Sequence, residues 1–137
     1  MSAPIRRQVL PLLLSLVAHP DDSSRSAAAG CLGTFCKWLP DDDLNTVIND
    51  VLLNSGGSES DWQIRHGRSA ALYVAMKDAP ERIESNQEKI VDTIKKLLTS
   101  DVVALAQNGV RAAGYYFSHL LKNKQALPGE IITPFCR

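Results

Sequence analysis

A pattern that recurs every 40 to 41 residues constrains this chain more than any other feature of its sequence. Arg25 and Arg65 stand 40 residues apart, and each is followed seven residues later by a leucine, Leu32 or Leu72. A third copy aligns 41 residues further on, with Ala106 in the place of the arginine. Internal repeats of this length fold as stacked units in which each unit packs on its neighbours.

Each copy has the pattern of two helices joined by a short polar turn. Apolar residues recur at helical spacing through the first half of each copy, and Pro40 and Pro80 open the second and third copies. Pro11 recurs as Pro134, a separation of 123 residues, or three times 41. The predicted fold is therefore all-α, a right-handed α-solenoid of about three helix pairs plus the start of a fourth. The chain forms one segment, 1–137, a piece of a longer solenoid, with units at 2–38, 40–78, 80–123 and, in part, 127–137.

The charge balance excludes some classes of function. Among 137 residues, 15 are Lys or Arg and 15 are Asp or Glu, so the formal net charge is zero. A dedicated nucleic-acid-binding domain would usually be strongly basic. The two ends differ modestly, because residues 1–60 carry 4 basic and 7 acidic side chains while residues 61–137 carry 11 and 8. The longest apolar run, 9–18, is too short to span a bilayer, so no membrane association is expected.

The sequence predicts no catalytic centre, metal site or cofactor. His66 with Asp61 and either Ser58 or Ser69 has the residue types of a hydrolytic triad, but neither a strained turn nor an oxyanion hole is signalled. The acidic run at 41–43 is explained by helix initiation and lacks the rest of a calcium loop. The cysteines lack zinc spacing and fit free thiols in a reducing cytosol. We therefore expect neither an enzyme nor a small-molecule substrate.

The repeat resembles the HEAT pattern. That pattern has a proline in the first helix, an aspartate in the turn, and an arginine followed by small residues in the second helix. The first copy matches at Pro11, Asp21, Arg25, Ala28, Leu32 and Gly33. The second copy matches at Asp61, Ile64, Arg65 and Leu72, whereas the third lacks the arginine.

The HEAT resemblance implies a structural role for two of the arginines. In such stacks the arginine of one second helix reaches the turn aspartate of a neighbouring repeat. Asp21, Arg25, Asp61 and Arg65 would then form a ladder along the stack, and ion pairs of this kind set the stagger between repeats more than they stabilise them.

Four basic side chains are the candidates for contact with a partner: Arg65, His66, Arg68 and Arg111. Arg65 and Arg68 share a helix face at i, i+3, and Arg111 lies on the next second helix. The fork of donors on an arginine suits carboxylates and phosphates. A solvated helix face with ordinary charge remains the alternative.

Three stretches carry a narrower resemblance: residues 62–72 (WQIRHGRSAAL), 109–115 (GVRAAGY) and 28–33 (AAGCLG). In this order they are similar to the C-terminal solenoid of the general control non-derepressible protein one family. Its members are ribosome-associated translational activators of the general-control kinase that phosphorylates initiation factor two alpha.

The family resemblance implies a cytoplasmic, non-catalytic scaffold. It would couple stalled or translating ribosomes to activation of the stress kinase during amino-acid starvation. The implied partners are the RWD domain of the kinase and the ribosome. Two alternatives stay open: a module that binds ribosomal RNA directly, and a purely structural spacer in another HEAT-repeat scaffold.

Overall fold

The computed structural model describes residues 3–53 and 62–122, which form three successive helix pairs. The first pair is α1 (Ala3–Leu16) and α2 (Asp22–Phe35). The second pair is α3 (Asp41–Val47), extended by a π-helical turn (Ile48–Leu52), and α4 (Trp62–Asp78). The third is α5 (Pro80–Ile83), a 3₁₀ turn (Glu84–Asn86) and α6 (Gln87–Leu98), followed by α7 (Val103–Lys122).

Local sequence sets where several of these helices begin. Asp21 is the N-cap of α2, and its carboxylate accepts hydrogen bonds from the backbone N–H and the hydroxyl of Ser24, at 2.9 and 2.8 Å. These bonds lower the pKa of Asp21. Three consecutive aspartates fill the first turn of α3, where negative charge is favoured, and Pro80 opens α5.

The helices form two layers. The second helices α2, α4 and α7 pack side by side in chain order, so α4 contacts both α2 and α7. The first helices lie behind them, with α1 on α2 and α6 on α7. Leucine and isoleucine side chains from both layers fill one continuous core; the most enclosed include Leu32, Leu52, Leu72, Ile94, Leu97 and Leu105.

A second contact between units lies behind the second-helix layer. Arg82, at the start of the third pair, donates to the carbonyls of Cys36, Lys37 and Leu39 at 3.2, 3.2 and 2.6 Å. It also binds the carboxylate of Asp41 at 3.0 Å. One arginine thereby satisfies carbonyls that follow α2, which have no partner inside the helix.

This architecture confirms the predicted all-α stack of HEAT-type helix pairs, and no strand occurs within 3–53 or 62–122. The periodicity predicted one uninterrupted first helix per pair, whereas that of the third pair divides at Glu84–Asn86. Serine and asparagine in this turn are poor helix formers, which makes a break at this point less costly. The predicted partial unit 127–137 lies outside the described residues.

Candidate functional site

The first two helix pairs meet where Arg25 of α2 contacts Trp62, His66 and Gly67 of α4. We call this contact the joint. Only 1% of the Arg25 side chain is exposed. Its guanidinium donates to the carbonyls of His19 and Pro20 at 3.0 and 3.2 Å and binds the carboxylate of Asp22 at 2.7 Å. Arg25 therefore holds the α1–α2 turn closed from inside the joint.

Arg25 also reaches the second pair. Its Nε donates to Nδ1 of His66 at 3.1 Å, and its guanidinium carbon lies 5.5 Å from the ring centroid of Trp62. Because an arginine Nε only donates, the Nδ1 atom that accepts must carry no proton. Burial, reinforced by Arg25, lowers the pKa of His66. The imidazole is thus held neutral, as an acceptor between two repeats.

Gly67 allows α4 to approach the first pair closely. A Cβ at this position would overlap the carbonyl oxygen of Val17 and lie 3.1 Å from Cγ of Arg25. Only glycine leaves room for this backbone contact. The run Arg65-His66-Gly67, which carries part of the family resemblance, therefore forms packing between repeats.

The predicted ladder differs in detail from the observed contacts. Asp21 caps α2, and the carboxylate that binds Arg25 is that of Asp22, in the same repeat. Ordinary helix geometry explains the difference, because Asp22 lies at i, i+3 from Arg25 on one helix face. Asp61 lies outside the described residues. Arg65 is 5% exposed, so it offers little surface to a partner.

The other candidates lie toward α7. Arg68 is half-buried and Arg111 is exposed. The Arg111 guanidinium carbon lies 5.3 Å from the ring centroid of Tyr73, and Tyr73 stacks on Tyr115 with centroids 6.5 Å apart and planes at 19°. The result is a layered surface of one cation and two aromatic rings that bridges α4 and α7.

Polar contacts anchor the base of this layered surface. Asn108 donates to the Ser69 hydroxyl at 3.0 Å and accepts from Arg111 at 3.4 Å. Buried Asn108 therefore links α7 to α4 and contacts the guanidinium of exposed Arg111.

A cavity of about 540 Å³ continues from the same surface toward the ends of α4 and α7. Tyr115 belongs to both, and Lys77 and Lys122 extend the positive charge along the cavity. The remaining lining residues are Met76, Pro80, Glu81, Glu84, Ser118 and His119. We call the surface formed by Tyr73, Lys77, Arg111, Tyr115 and Lys122 the α4–α7 groove.

His119, also on α7, is turned inward. It is 9% exposed, and its Nε2 lies 2.7 Å from a carboxylate oxygen of Glu84. Tyr73 and Lys77 were not predicted from the sequence as members of one surface. Their i, i+4 spacing on α4, matched by Arg111 and Tyr115 on α7, is the signal that would have found them.

The groove presents exposed cations beside two stacked aromatic rings. In the described part of the chain no cluster of three His, Cys, Asp or Glu side chains is arranged to hold a metal ion. None of the described helices combines the length and apolar character needed to cross a membrane. Cys31 is exposed and Cys36 buried, and burial raises the pKa of the Cys36 thiol to about 12.

Comparison with known proteins adds a family. The family described as stalled ribosome sensor GCN1-like, HEAT repeats, matches residues 1–137. The mouse stalled ribosome sensor GCN1 is 38% identical over 134 residues, which cover 96% of this chain and 5% of that protein. The human stalled ribosome sensor GCN1 is 34% identical over 140 residues, covering 100% of this chain and 5% of that protein.

A plant protein is a more distant relative. The Arabidopsis thaliana protein ILITYHIA is 24% identical over 112 residues, covering 80% of this chain and 4% of that protein. No solved structure matches. The chain thus spans about one-twentieth of the length of these relatives, as the 4% and 5% coverages show.

Proposed function

The chain belongs to the family of GCN1-like HEAT repeats, and we propose that it is a non-catalytic scaffold segment that contacts translating or stalled ribosomes. This contact, made in the cytoplasm, would help couple ribosomes to activation of the kinase that phosphorylates initiation factor two alpha. The names of the mouse and human relatives, stalled ribosome sensors, support the ribosome as the partner. The RWD domain of the kinase is the second partner in this proposal.

The observation that carries the proposal is the α4–α7 groove. Three of its members, Lys77, Arg111 and Lys122, are exposed cations on neighbouring second helices. The guanidinium of Arg111 is spread over a tyrosine ring, which orients it without removing it from solvent. Ordered cations on a rigid helical layer attract and orient a negatively charged surface such as that of a ribosome.

Charge reversal in the groove tests this proposal. Arg111→Glu combined with Lys122→Glu should weaken co-sedimentation of the chain with ribosomes by about tenfold or more near physiological salt, since each lost phosphate contact lowers affinity. The matched control is Lys89→Glu combined with Lys95→Glu, which makes the same charge change on the first-helix layer. Equal ribosome binding by both double variants, with unchanged circular dichroism, would count against the groove as the contact surface.

Binding of the RWD domain of the kinase requires a separate experiment. The purified RWD domain would be titrated against the chain with and without saturating ribosomes. Binding of both partners together supports the coupling role. A chain that binds ribosomes alone would act only in docking.

The spacer alternative is favoured by one observation: Arg65 is buried and His66 is bonded to Arg25, so both serve the stack itself. Replacing residues 1–122 in the full-length parent by three HEAT pairs of equal length tests it. Retained kinase activation under amino-acid starvation would assign the segment a spacing role, and lost activation would support the groove.

A further inference from the structure

The cavity at the end of the α4–α7 groove has a composition that the electrostatic proposal alone does not explain. Glu84 in the lining is bound by His119, but a surface that only attracts negative charge has no use for the second carboxylate, that of exposed Glu81, beside Lys77 and Lys122. Half-buried Tyr115 also lines the cavity and supplies an aromatic ring. The occupant must therefore satisfy cations, an aromatic ring and a carboxylate that line one cavity.

The volume of the cavity and its apolar lining residues further restrict the kind of ligand that fits. Its volume of about 540 Å³ lies within the range of about 300–1,000 Å³ found for pockets that enclose small ligands. Met76 and Pro80 supply apolar surface in the lining, and Ser118 adds a hydroxyl. A planar group of modest size fits this mixture better than a flexible charged side chain.

A nucleotide that is not base-paired meets all these conditions. Its phosphates suit lysine and arginine, its base stacks on a tyrosine, and an exocyclic amino group donates to a carboxylate. We infer that the cavity receives an unpaired base of single-stranded RNA. The base stacks on Tyr115, the flanking phosphates contact Lys77, Lys122 and Arg111, and Glu81 accepts from the amino group of the base.

This inference rests on the proposed ribosome contact, and it names the feature of the ribosome that is recognised. Paired bases in an A-form helix are stacked inside and cannot enter a cavity, so the target is a loop, a bulge or a strand end. An acidic protein segment fits less well, because its carboxylates would face Glu81 and Glu84 across the cavity. The carboxylates that repel such a peptide attract the amino group of a base.

The base itself provides a sharp test. Cytosine carries an amino group at the position where uracil carries a carbonyl oxygen, and the two rings are otherwise nearly alike. A carboxylate at the end of the cavity should therefore favour cytosine. We expect the chain to bind fluorescein-labelled eight-residue oligocytidylate about three to ten times more tightly than oligouridylate, measured by fluorescence anisotropy at low salt.

Three variants separate the parts of the inferred site. Tyr115→Leu should weaken binding of both oligonucleotides by about fivefold or more, whereas Tyr115→Phe, which keeps the ring, should bind as the original does. Glu81→Gln should reduce the preference for cytosine, because an amide both donates and accepts. Lys95→Glu on α6 is the control for a general charge effect, since it lies on the other layer.

The outcomes are distinguishable from those of the ribosome experiment. Equal affinity for the two oligonucleotides, or no effect of Tyr115→Leu in a folded variant, would overturn the base site. If ribosome binding still falls on reversal of Arg111 and Lys122, the proposed contact stands and the base site does not. Displacement of the RNA by an equal concentration of polyglutamate would identify an acidic protein as the occupant and also refute the inference.

Discussion

Each side of α4 carries a contact between an arginine and an aromatic ring, but one arginine is buried in the stack and the other is exposed to solvent. Toward α2, the guanidinium of Arg25 lies 5.5 Å from the ring of Trp62, and toward α7 that of Arg111 lies 5.3 Å from the ring of Tyr73. The first arginine is 1% exposed and the second is open to solvent. Residue type and ring contact are thus shared, and burial separates a structural joint from a surface that is free to bind.

The hydrogen bonds explain why the two arginines differ. The donors of Arg25 meet two turn carbonyls, a carboxylate and an imidazole, so desolvation is compensated within the fold. Within the described residues, Arg111 makes one long hydrogen bond, 3.4 Å, to Asn108, and its side chain is exposed. Disturbing the joint should therefore change stability, and disturbing the groove should change binding.

The largest expected effect is that of Gly67→Ala. The added methyl group would meet the backbone carbonyl of Val17, which cannot rotate away as a side chain could, so α4 must move off the first pair. We expect the free energy of unfolding in urea to fall by about 3 kcal/mol, at the upper end of the usual cost of overpacking.

Gly114→Ala is the matched control on α7. A Cβ there meets no atom within 4 Å, and alanine favours helix over glycine by about 0.5–1 kcal/mol, so this variant should be slightly more stable. If both glycine variants changed stability by the same amount, close approach at Gly67 would not be what holds the joint.

Arg25→Met should have the next largest effect. Methionine keeps the apolar stem but leaves the carbonyls of His19 and Pro20 and the acceptor of His66 without their donor. Removing one partner of a fully buried pair costs about 3–5 kcal/mol, and since Asp22 is 79% exposed we expect about 2 kcal/mol here.

Arg111→Met is the matched control for the stability loss expected of Arg25→Met. Surface substitutions usually shift stability by less than about 0.5 kcal/mol, so this variant should unfold near the original midpoint while losing ribosome binding. A large loss of stability at Arg111, or none at Arg25, would reverse the assignment of joint and groove.

The repeat period and the helix pairs could be predicted from sequence because they depend on local spacing of apolar residues. The break at Glu84–Asn86 in the first helix of the third pair could not be predicted, since propensity alone does not decide where a long helix breaks. The roles of Arg65 and Arg111 were equally open, because each is a basic residue on a second helix. Only the packing of α4 shows that one is buried and the other exposed.

The grouping of residues around the cavity could not be predicted from the sequence either. Tyr115 belongs to the sequence stretch 109–115, but Lys77 lies more than thirty residues before it and meets it only through the contact of α4 with α7. Periodicity places residues on faces of helices, whereas the juxtaposition of two faces depends on how the helices cross.

The smallest expected effect is a loss of stability in weak acid that comes from His66. The pKa of this imidazole lies below its ordinary value of 6.5, first because of burial and then because of the positive charges of Arg25 and Arg111, which Asp22 partly opposes. The unfolded chain therefore binds a proton at a higher pH than the folded chain does. Stability is complete above about pH 6.5 and falls as the pH decreases from there toward the lower, folded pKa.

His66→Asn isolates this contribution. An asparagine oxygen replaces Nδ1 as an acceptor for Arg25 but does not titrate, while His19 and His119 remain in both proteins. Urea unfolding at several values between pH 5 and pH 7.5 should show a smaller decline for the variant than for the original chain. Parallel curves would mean that His66 takes up its proton alike in the folded and unfolded chains, so that loss of its bond to Arg25 costs no stability and the joint tolerates a second positive charge as readily as the open groove does.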